Sequence, residues 1–195
     1  MIKTITQLEN LFRRQLMLLL GFDPDIPDPT GSPVRISWAA EGQPDINVTD
    51  NVVYVKLYDE GRQDIAQPIH THAGIEAGER VELRSQTRVW RLELIAYGPF
   101  SYDWLYSIKR KCQQSEAKLL RAEGIYLVTA PNAPIRAPEY KNSLWFERSD
   151  LSLIFYENAI EKVIVPTIRK VTINTYLNND TGQVIEGNII VTDED

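Results

Sequence analysis

Two stretches of the chain carry apolar residues at the three- and four-residue steps of an amphipathic helix. The first covers residues 4–20 and is followed by Gly21, and the second covers residues 101–122 and is followed by Gly124. Ser101 stands at the start of the second stretch, where its side-chain oxygen could cap the helix. Glycine after each stretch supplies the left-handed residue that commonly ends a helix. The pattern predicts two main helices.

Between and after these helices, apolar and polar residues alternate with the period of two that is typical of a half-buried strand. The predicted strands cover residues 34–38, 52–58, 81–97, 125–129, 144–156, 163–176 and 184–191. Residues 59–78 have no periodicity and are rich in polar residues and glycine, which predicts a long loop.

This order of elements predicts an α+β fold, with a single domain in which two main helices pack on one mixed, mostly antiparallel β-sheet. We assign residues 1–176 to that domain. Residues 177–195 are assigned to a C-terminal turn, a strand and an acidic tail.

Composition then excludes several classes of protein. The 195 residues include 21 Lys and Arg against 27 Asp and Glu, and the resulting net charge of −6 disfavours broad binding to nucleic-acid phosphates. The hydrophobic fraction of 43% is that of an ordinary globular protein and excludes wholesale disorder. The longest apolar run, residues 16–20, is far shorter than the roughly 20 residues of a membrane span. We therefore expect a soluble intracellular protein with no membrane partner.

Few residues could carry catalysis or bind a metal. His70 and His72 are the only histidines, and in an extended segment both rings would lie on one side. They could form a zinc pair, but nothing nearby completes a four-ligand set, which favours two solvated histidines. Cys112 falls on the apolar stripe of the second helix and is interpreted as a small buried residue. Because no nucleophile elbow or phosphate-binding glycine motif occurs, we expect no enzyme, no catalytic residue, no cofactor and no metal.

One face of the predicted sheet is a candidate for contact between proteins. On the long strand, the face opposite the core holds Arg91, Glu93 and Ile95, and the later strand adds Tyr156. This half-apolar composition fits a face covered by the helices, and it also fits a subunit interface in which apolar anchors sit within a polar rim.

The basic run on the second helix is the other candidate. Lys109, Arg110 and Lys111 are consecutive, so their side chains spread around the helix. The run fits a solvated helix face, or an electrostatic contact with an acidic partner such as the next copy of this acidic chain.

Four segments together resemble a known family. They are Thr87–Gly98 (TRVWRLELIAYG), Pro99–Trp104 (PFSYDW), Gly124–Leu127 (GIYL) and Trp145–Tyr156 (WFERSDLSLIFY). In this order they are similar to the neck and tail-terminator proteins of tailed bacteriophages. The order of predicted elements is similar over residues 1–176, whereas the similarity of the amino-acid sequence itself is confined to residues 87–156.

The resemblance implies a structural virion protein that caps the tail tube as a ring, stops tube polymerisation and joins the tail to the head-side neck. The implied partners are further copies of the chain, expected as a hexamer, the tail tube protein, the neck or connector proteins, and the tail sheath if the tail is contractile. DNA would pass through the ring without specific binding, and the virion tail would be assembled in the host cytoplasm. No catalytic residue carries over. A head-completion or connector subunit of the same neck, and an intracellular enzyme of unknown type, stay open as alternatives.

Overall fold

The computed structural model describes residues 3–28, 31–37, 44–61, 69–76, 79–128, 132–165, 170–178 and 184–192. Within these ranges the helices are α1 (Ile5–Leu20), α2 (Ser101–Gln113) and α3 (Lys118–Ala122). The strands are β1 (Val34–Ile36), β2 (Val52–Asp59), β3 (Ile69–Glu76), β4 (Glu79–Tyr97), β5 (Ile125–Leu127), β6 (Ile135–Arg136), β7 (Glu139–Lys141), β8 (Leu144–Phe146), β9 (Arg148–Val165), β10 (Lys170–Asn178) and β11 (Val184–Thr192).

In the described residues, seven strands form one sheet whose main path runs β1-β2-β4-β9-β5. β3 also pairs with β4, and β6 also pairs with β9. The β1–β2 pair is parallel, whereas β2–β4, β5–β9 and β6–β9 are antiparallel. β7 pairs with β8 and β10 pairs with β11 as separate antiparallel hairpins. The predicted α+β fold with a mixed, mostly antiparallel sheet is confirmed.

The chain divides into two compact units. Unit 1 comprises residues 1–69 and 84–161, and it contains the three helices, β1, β2, β5 to β8 and most of β4 and β9. Unit 2 comprises residues 70–83 and 162–195, and it contains most of β3, the start of β4, the end of β9 and the β10–β11 hairpin. The boundary predicted between residues 176 and 177 falls within β10.

The predicted first helix is observed as α1. Its start is fixed by a capping box, in which the Thr4 side chain accepts from the Gln7 backbone N–H and the Gln7 side chain accepts from the Thr4 backbone N–H. Gly21 ends the helix in the left-handed conformation. The apolar stripe of α1 packs on the sheet, where the Phe12 ring meets the Phe155 ring edge-on at 5.0 Å.

One sheet face forms the core of unit 1 together with the helices. Alternate residues of the two long strands are buried there: Trp90, Leu92, Leu94 and Ala96 of β4, and Leu151, Leu153 and Phe155 of β9. α2 contributes Leu105, Ile108 and Cys112 to the same cluster, and α3 contributes Leu120. Burial of this continuous apolar surface is the main driving force that holds the helices on the sheet.

The single helix predicted over residues 101–122 is wrong. α2 ends at Gln113, Ser115 has a left-handed φ of 67°, and α3 begins only at Lys118. Ser101 is the first residue of α2 and not its cap: its buried hydroxyl bonds to the Ser149 hydroxyl at 3.2 Å. The Ser101 hydroxyl therefore connects α2 to β9 and does not cap the helix.

Two predicted strand boundaries are also corrected. Ile69–Glu76 form β3 and pair with β4, so the loop predicted over residues 59–78 is wrong for this part. The strand predicted over residues 163–176 is two strands, because β9 ends at Val165 and β10 begins at Lys170. Residues 62–68, 77–78 and 166–169 lie outside the described residues.

Candidate interaction surfaces

The sheet face opposite the helices, called the outer face below, gathers the residues that alternate with the core. They are Tyr54, Lys56 and Tyr58 of β2, Arg91, Glu93, Ile95 and Tyr97 of β4, Asp150, Ser152, Ile154 and Tyr156 of β9, and Tyr126 of β5. These side chains are partly exposed. Since the described helices pack on the core face, covering by helices does not account for the apolar residues of the outer face.

The structure brings the four predicted sheet residues onto this one surface. Arg91, Glu93 and Ile95 follow one another along β4, and Tyr156 lies on the adjacent β9. Arg91 forms an ion pair with Glu60, which lies just beyond the end of β2. The predicted patch is therefore contiguous, with charged groups beside apolar ones. Its role as an interface stays a prediction.

A groove lies at the Tyr97 end of the outer face, with a volume of about 290 Å³. Its lining includes Tyr54, Ile95 and Tyr97 of the sheet and Phe146 of β8. The Tyr97 ring meets Tyr54 edge-on at 5.9 Å and Phe146 edge-on at 6.4 Å. The groove thus combines aromatic walls with charged residues, which are Asp45, Lys56, Glu139 and Lys141.

The hairpin of β7 and β8, Glu139–Phe146, is called the aromatic hairpin below. Its two turn residues, Asn142 and Ser143, have left-handed φ values of 51° and 62°, the conformation of the tight turns that join antiparallel strands. Tyr140 lies directly opposite Trp145, with ring centroids 5.1 Å apart. These rings are 60% and 65% exposed, and the neighbouring Leu144 is 53% exposed. Tyr140 and Trp145 therefore present an aromatic pair to solvent on one face of the hairpin, whereas Leu144 lies on the other face.

A polar network fixes the base of the aromatic hairpin to the sheet. The Tyr97 hydroxyl donates to Glu139 Oε2 at 2.6 Å, and Arg148 Nη1 contacts the same oxygen at 3.1 Å. Arg148 also binds both oxygens of Asp150, at 2.8 and 2.9 Å. Burial and the bond to Glu139 raise the pKa of Tyr97 to about 12, while the Tyr97 hydroxyl and Arg148 lower the pKa of Glu139. The network connects the base of the hairpin to β4 and β9.

The predicted basic run divides into three residues with different surroundings. Lys109 Nζ donates to the Asn132 carbonyl at 2.7 Å, and Lys111 Nζ donates to the Leu19 carbonyl at the end of α1. Arg110 is exposed. The run therefore does not form a single basic patch, and the contact of Lys111 is within the fold.

The residues that the sequence offered as a possible nucleophile or metal ligands are Cys112, His70 and His72. Cys112 is buried, as predicted, and burial together with Glu116 raises the pKa of its thiol to about 12, which disfavours the reactive thiolate. His70 Nδ1 lies 3.8 Å from Glu82 Oε2 on the surface, and the side chain of His72 lies outside the described residues. Among the residues that the structure describes, no three His, Cys, Asp or Glu side chains are grouped to hold a metal.

Sequence reasoning missed the aromatic hairpin. The signal was present as Asn142 and Ser143 between Tyr140 and Trp145, which is turn chemistry flanked by residues that favour strands. We placed residues 144–156 in one strand, whereas β8 ends at Phe146 and β9 begins at Arg148.

No protein-family model matches this chain, and no curated protein matches its sequence. No helix of the described residues is long and apolar enough to cross a membrane. The structure is that of an α+β protein with exposed apolar groups on the outer face and on the aromatic hairpin, and with others, such as Leu18, Phe100 and Ile135, elsewhere on the described surface. Apolar groups beside charged ones, as on the outer face, are typical of surfaces that contact other proteins.

Proposed function

We propose that this chain is a structural protein of a phage tail, a tail terminator that assembles as a ring on the end of the tail tube. The observation that carries the proposal is the outer face, where Ile95, Ile154 and Tyr156 stay partly exposed beside charged residues. An apolar centre within a charged rim is the usual composition of a subunit interface. The ring would stop tube polymerisation and join the tail to the neck.

The location of the phage-like segments in the fold supports this proposal. Residues 87–98 include the second half of β4, residues 99–104 include the first turn of α2, residues 124–127 include β5, and residues 145–156 include the end of β8 and the first half of β9. β4, β9 and β5 are consecutive in the sheet. The resemblance therefore concerns one contiguous part of unit 1, although the segments are separated in the sequence.

The charge of the chain is compatible with a ring through which DNA passes. Each copy carries a formal net charge of −6. A ring of such copies repels phosphates instead of binding them, so that the genome would slide without adhering. The tube protein below the ring and the neck proteins above it are then the partners that the two ends of the ring contact.

The first experiment is to purify the chain and measure its mass by light scattering, with negative-stain microscopy of the same sample. We expect rings with six times the 22.4 kDa mass of one chain, and rings bound to the ends of tail tubes when tube protein is added. Rings that bind the portal vertex and not the tube would favour the connector alternative. A protein that stays monomeric and binds neither structure would contradict the proposal.

The second experiment tests the outer face with a matched pair of variants. Ile95→Arg introduces a charge at the centre of the outer face, and Leu18→Arg introduces the same charge at an exposed apolar residue of α1. Both variants should keep the circular dichroism spectrum of the fold. We expect Ile95→Arg to abolish rings and to give tails of uncontrolled length, and Leu18→Arg to leave both unchanged. Normal rings from Ile95→Arg would show that the outer face is not the interface.

A further inference from the structure

The base of the groove at the Tyr97 end of the outer face is formed by the sheet. Its residues come from the neighbouring strands β2 and β4, and they are Tyr54, Lys56, Ile95 and Tyr97. The Tyr54 and Tyr97 rings are partly exposed and lie edge-on to each other, with 5.9 Å between their centroids. The base is therefore largely apolar and aromatic, and it suits contact with the hydrocarbon part of a ligand.

The two sides of the groove come from opposite directions in the sheet. One side is lined by residues that follow β1, which are Ser37, Pro44, Asp45 and Ile46. The other side is lined by residues of the aromatic hairpin, which are Glu139, Lys141 and Phe146. β1 lies next to β2, whereas the hairpin bonds to Tyr97 of β4 and leads into β9. The strand order β1-β2-β4-β9 therefore places these two sides on either side of the base.

The two sides carry exposed charges of opposite sign. Asp45 is exposed on the β1 side, and Lys141 is exposed on the hairpin side. Neither residue forms an ion pair with another residue in the described part of the chain. A ligand with a cation at one end and an anion at the other would complement both sides at once.

The other two charged residues of the lining already have partners. Glu139 Oε2 accepts from the Tyr97 hydroxyl and contacts Arg148. Lys56 lies directly opposite Glu93 in the pairing of β2 with β4. Asp45 and Lys141 are therefore the charges that remain for a ligand.

Ser37 adds a second polar group on the same side as Asp45. Its hydroxyl oxygen is buried and has no hydrogen-bond partner among the described residues. A buried hydroxyl without a partner costs free energy, so a ligand donor at this side stabilises it. An ammonium group carries three donors, which is enough for the Asp45 carboxylate and the Ser37 hydroxyl together.

We propose that this groove binds a zwitterion whose ammonium and carboxylate are separated by a short aliphatic chain. The ammonium bonds to Asp45 and Ser37, the carboxylate bonds to Lys141, and the chain lies across the Tyr54 and Tyr97 rings. The groove volume of about 290 Å³ is close to the lower end of the range for ligand pockets, which suits a compact molecule.

The width of the base selects the spacing of the two charges. Neighbouring strands lie about 4.8 Å apart, and the two sides of the groove lie beyond two such strands. An α-amino acid carries both charges on one carbon atom and is too short to reach both sides. An ω-amino acid is long enough, and a lysine at the carboxyl end of a polypeptide carries the same two charges at the same spacing. The site lies within unit 1 of one chain, so it does not depend on the proposed ring.

The first test is isothermal titration calorimetry of the wild-type chain with 6-aminohexanoate. Hexanoate and hexylamine each lack one of its charges, and glycine has both charges at too short a spacing. We expect 6-aminohexanoate to bind about tenfold or more tightly than each of these three compounds, because each of them loses a charged hydrogen bond. Equal binding of hexanoate or hexylamine, or no binding of 6-aminohexanoate at millimolar concentration, would overturn the proposal.

Three variants assign the two ends of the ligand. Asp45→Asn should weaken 6-aminohexanoate about tenfold and leave hexanoate unchanged, whereas Lys141→Met should weaken it about tenfold and leave hexylamine unchanged. Tyr140→Leu is the matched control, because Tyr140 is next to Lys141 but lies on the opposite face of the hairpin and does not line the groove. Circular dichroism checks the fold of each variant. Equal losses in Lys141→Met and Tyr140→Leu would contradict the assignment of the carboxylate to Lys141.

Titration with α-N-acetyl-lysine distinguishes the two sources of this chemistry. Its free carboxylate represents a C-terminal lysine, and its amide is the control that lacks this charge. Binding as tight as that of 6-aminohexanoate, and lost in the amide, would assign the groove to the carboxyl end of a partner polypeptide. Binding more than about tenfold weaker would assign it to a free ω-amino acid. A chain that forms rings but does not bind 6-aminohexanoate would overturn this inference and leave the proposed function intact.

Discussion

The ammonium group of Lys111 on α2 donates a hydrogen bond to the carbonyl oxygen of Leu19 in the last turn of α1. The last carbonyls of a helix have no partner within the helix and lie at the negative end of its dipole. α1 has no basic residue of its own in its last turn. Lys111 therefore supplies from α2 the positive charge that α1 lacks, and it connects the two helices.

This contact predicts that substitutions of Lys111 and of its neighbour Arg110 have different effects on the free energy of unfolding. Lys111→Glu should lower the free energy of unfolding by about 1–2 kcal/mol, because it removes a charged hydrogen bond and places a carboxylate near helix carbonyls. Arg110→Glu places a carboxylate at an exposed position in the last turn of α2, so it should cost only about 0.5 kcal/mol. Denaturant unfolding of the two variants measures both values. Equal stability losses would show that Lys111 has no special role, and only Arg110→Glu is suitable for testing the basic run as an interface.

We expect that no other residue can replace Gly98, because neighbouring atoms leave no space for a Cβ atom. Its φ is +98°, and a Cβ atom at this position would lie 2.3 Å from the Asp50 carbonyl oxygen. Gly21 is a matched control, since its φ is +85° but a Cβ atom there would meet nothing within 4 Å. Gly21→Ala should cost about 1–2 kcal/mol from backbone strain alone, and Gly98→Ala should cost clearly more. Thermal melting of the two variants gives the comparison, and equal shifts would mean that the Asp50 contact relaxes easily.

Residues with strong local periodicity were predicted well. The apolar stripe through Leu8 and Phe12 and the alternation of β4 both report a buried face, and the structure confirms both elements. β3 was missed because its Ile69–Glu76 sequence has a polar centre, so that pairing with β4 determines the strand more than hydrophobic alternation does. The break after Gln113 was missed because the apolar stripe continues into α3.

The candidate surfaces also divide into features that a local sequence pattern predicts and features that depend on distant contacts. The contiguity of Arg91, Glu93 and Ile95 follows from the period of a strand, so the sequence was sufficient to place them together. The contact of Lys111 with Leu19 joins residues 92 positions apart, and the sequence carries no local signal for it. Likewise, the cavity lined by residues of α2, α3 and β5 depends on how these elements meet in space, which the sequence does not show locally.

The Tyr97–Glu139 hydrogen bond predicts how stability changes with pH. The pKa of Tyr97 is raised to about 12, so the folded state retains this proton more strongly than the unfolded chain, in which tyrosine ionises near pH 10. The contribution of Tyr97 is complete below pH 10 and is lost as the pH rises through 12. The pKa of Glu139 is lowered from 4.5, so its contribution is complete above that value and is lost as the pH falls below it.

Tyr97→Phe should therefore flatten the dependence of stability on pH at both the acidic and the alkaline end. Tyr156→Phe is the matched control, because it removes a phenol from the same outer face without removing the bond to Glu139. Urea unfolding over a series of pH values measures the slopes, and ultraviolet absorbance of the phenolate follows the titration of tyrosine. An unchanged slope in Tyr97→Phe would mean that the hydrogen bond does not persist in solution.

Glu157 is a buried carboxylate, and its two oxygens accept hydrogen bonds from two residues of β4. The Trp90 indole N–H donates to Glu157 Oε2 at 2.6 Å, and Arg88 Nη2 donates to Oε1 at 2.9 Å. The Arg88 guanidinium also lies 5.0 Å from the centre of the Trp90 ring, and it donates to the Lys3 carbonyl at 3.3 Å. The group connects β4, β9 and the residues just before α1.

Removing only one member of this group should be far more harmful than replacing the charged pair. Glu157→Ala leaves the Arg88 cation without its counterion and should cost about 3–5 kcal/mol of unfolding free energy. The double variant Arg88→Met with Glu157→Leu removes both charges and fills similar volume. It should recover the part of that loss that comes from the unpaired cation, while the Trp90 indole N–H still lacks its acceptor. Denaturant unfolding of Arg88→Met, of Glu157→Leu and of the double variant gives the coupling between the side chains. If Glu157→Ala cost less than about 1 kcal/mol, or if the double variant were no more stable than the single one, the two charges would not be coupled within the fold.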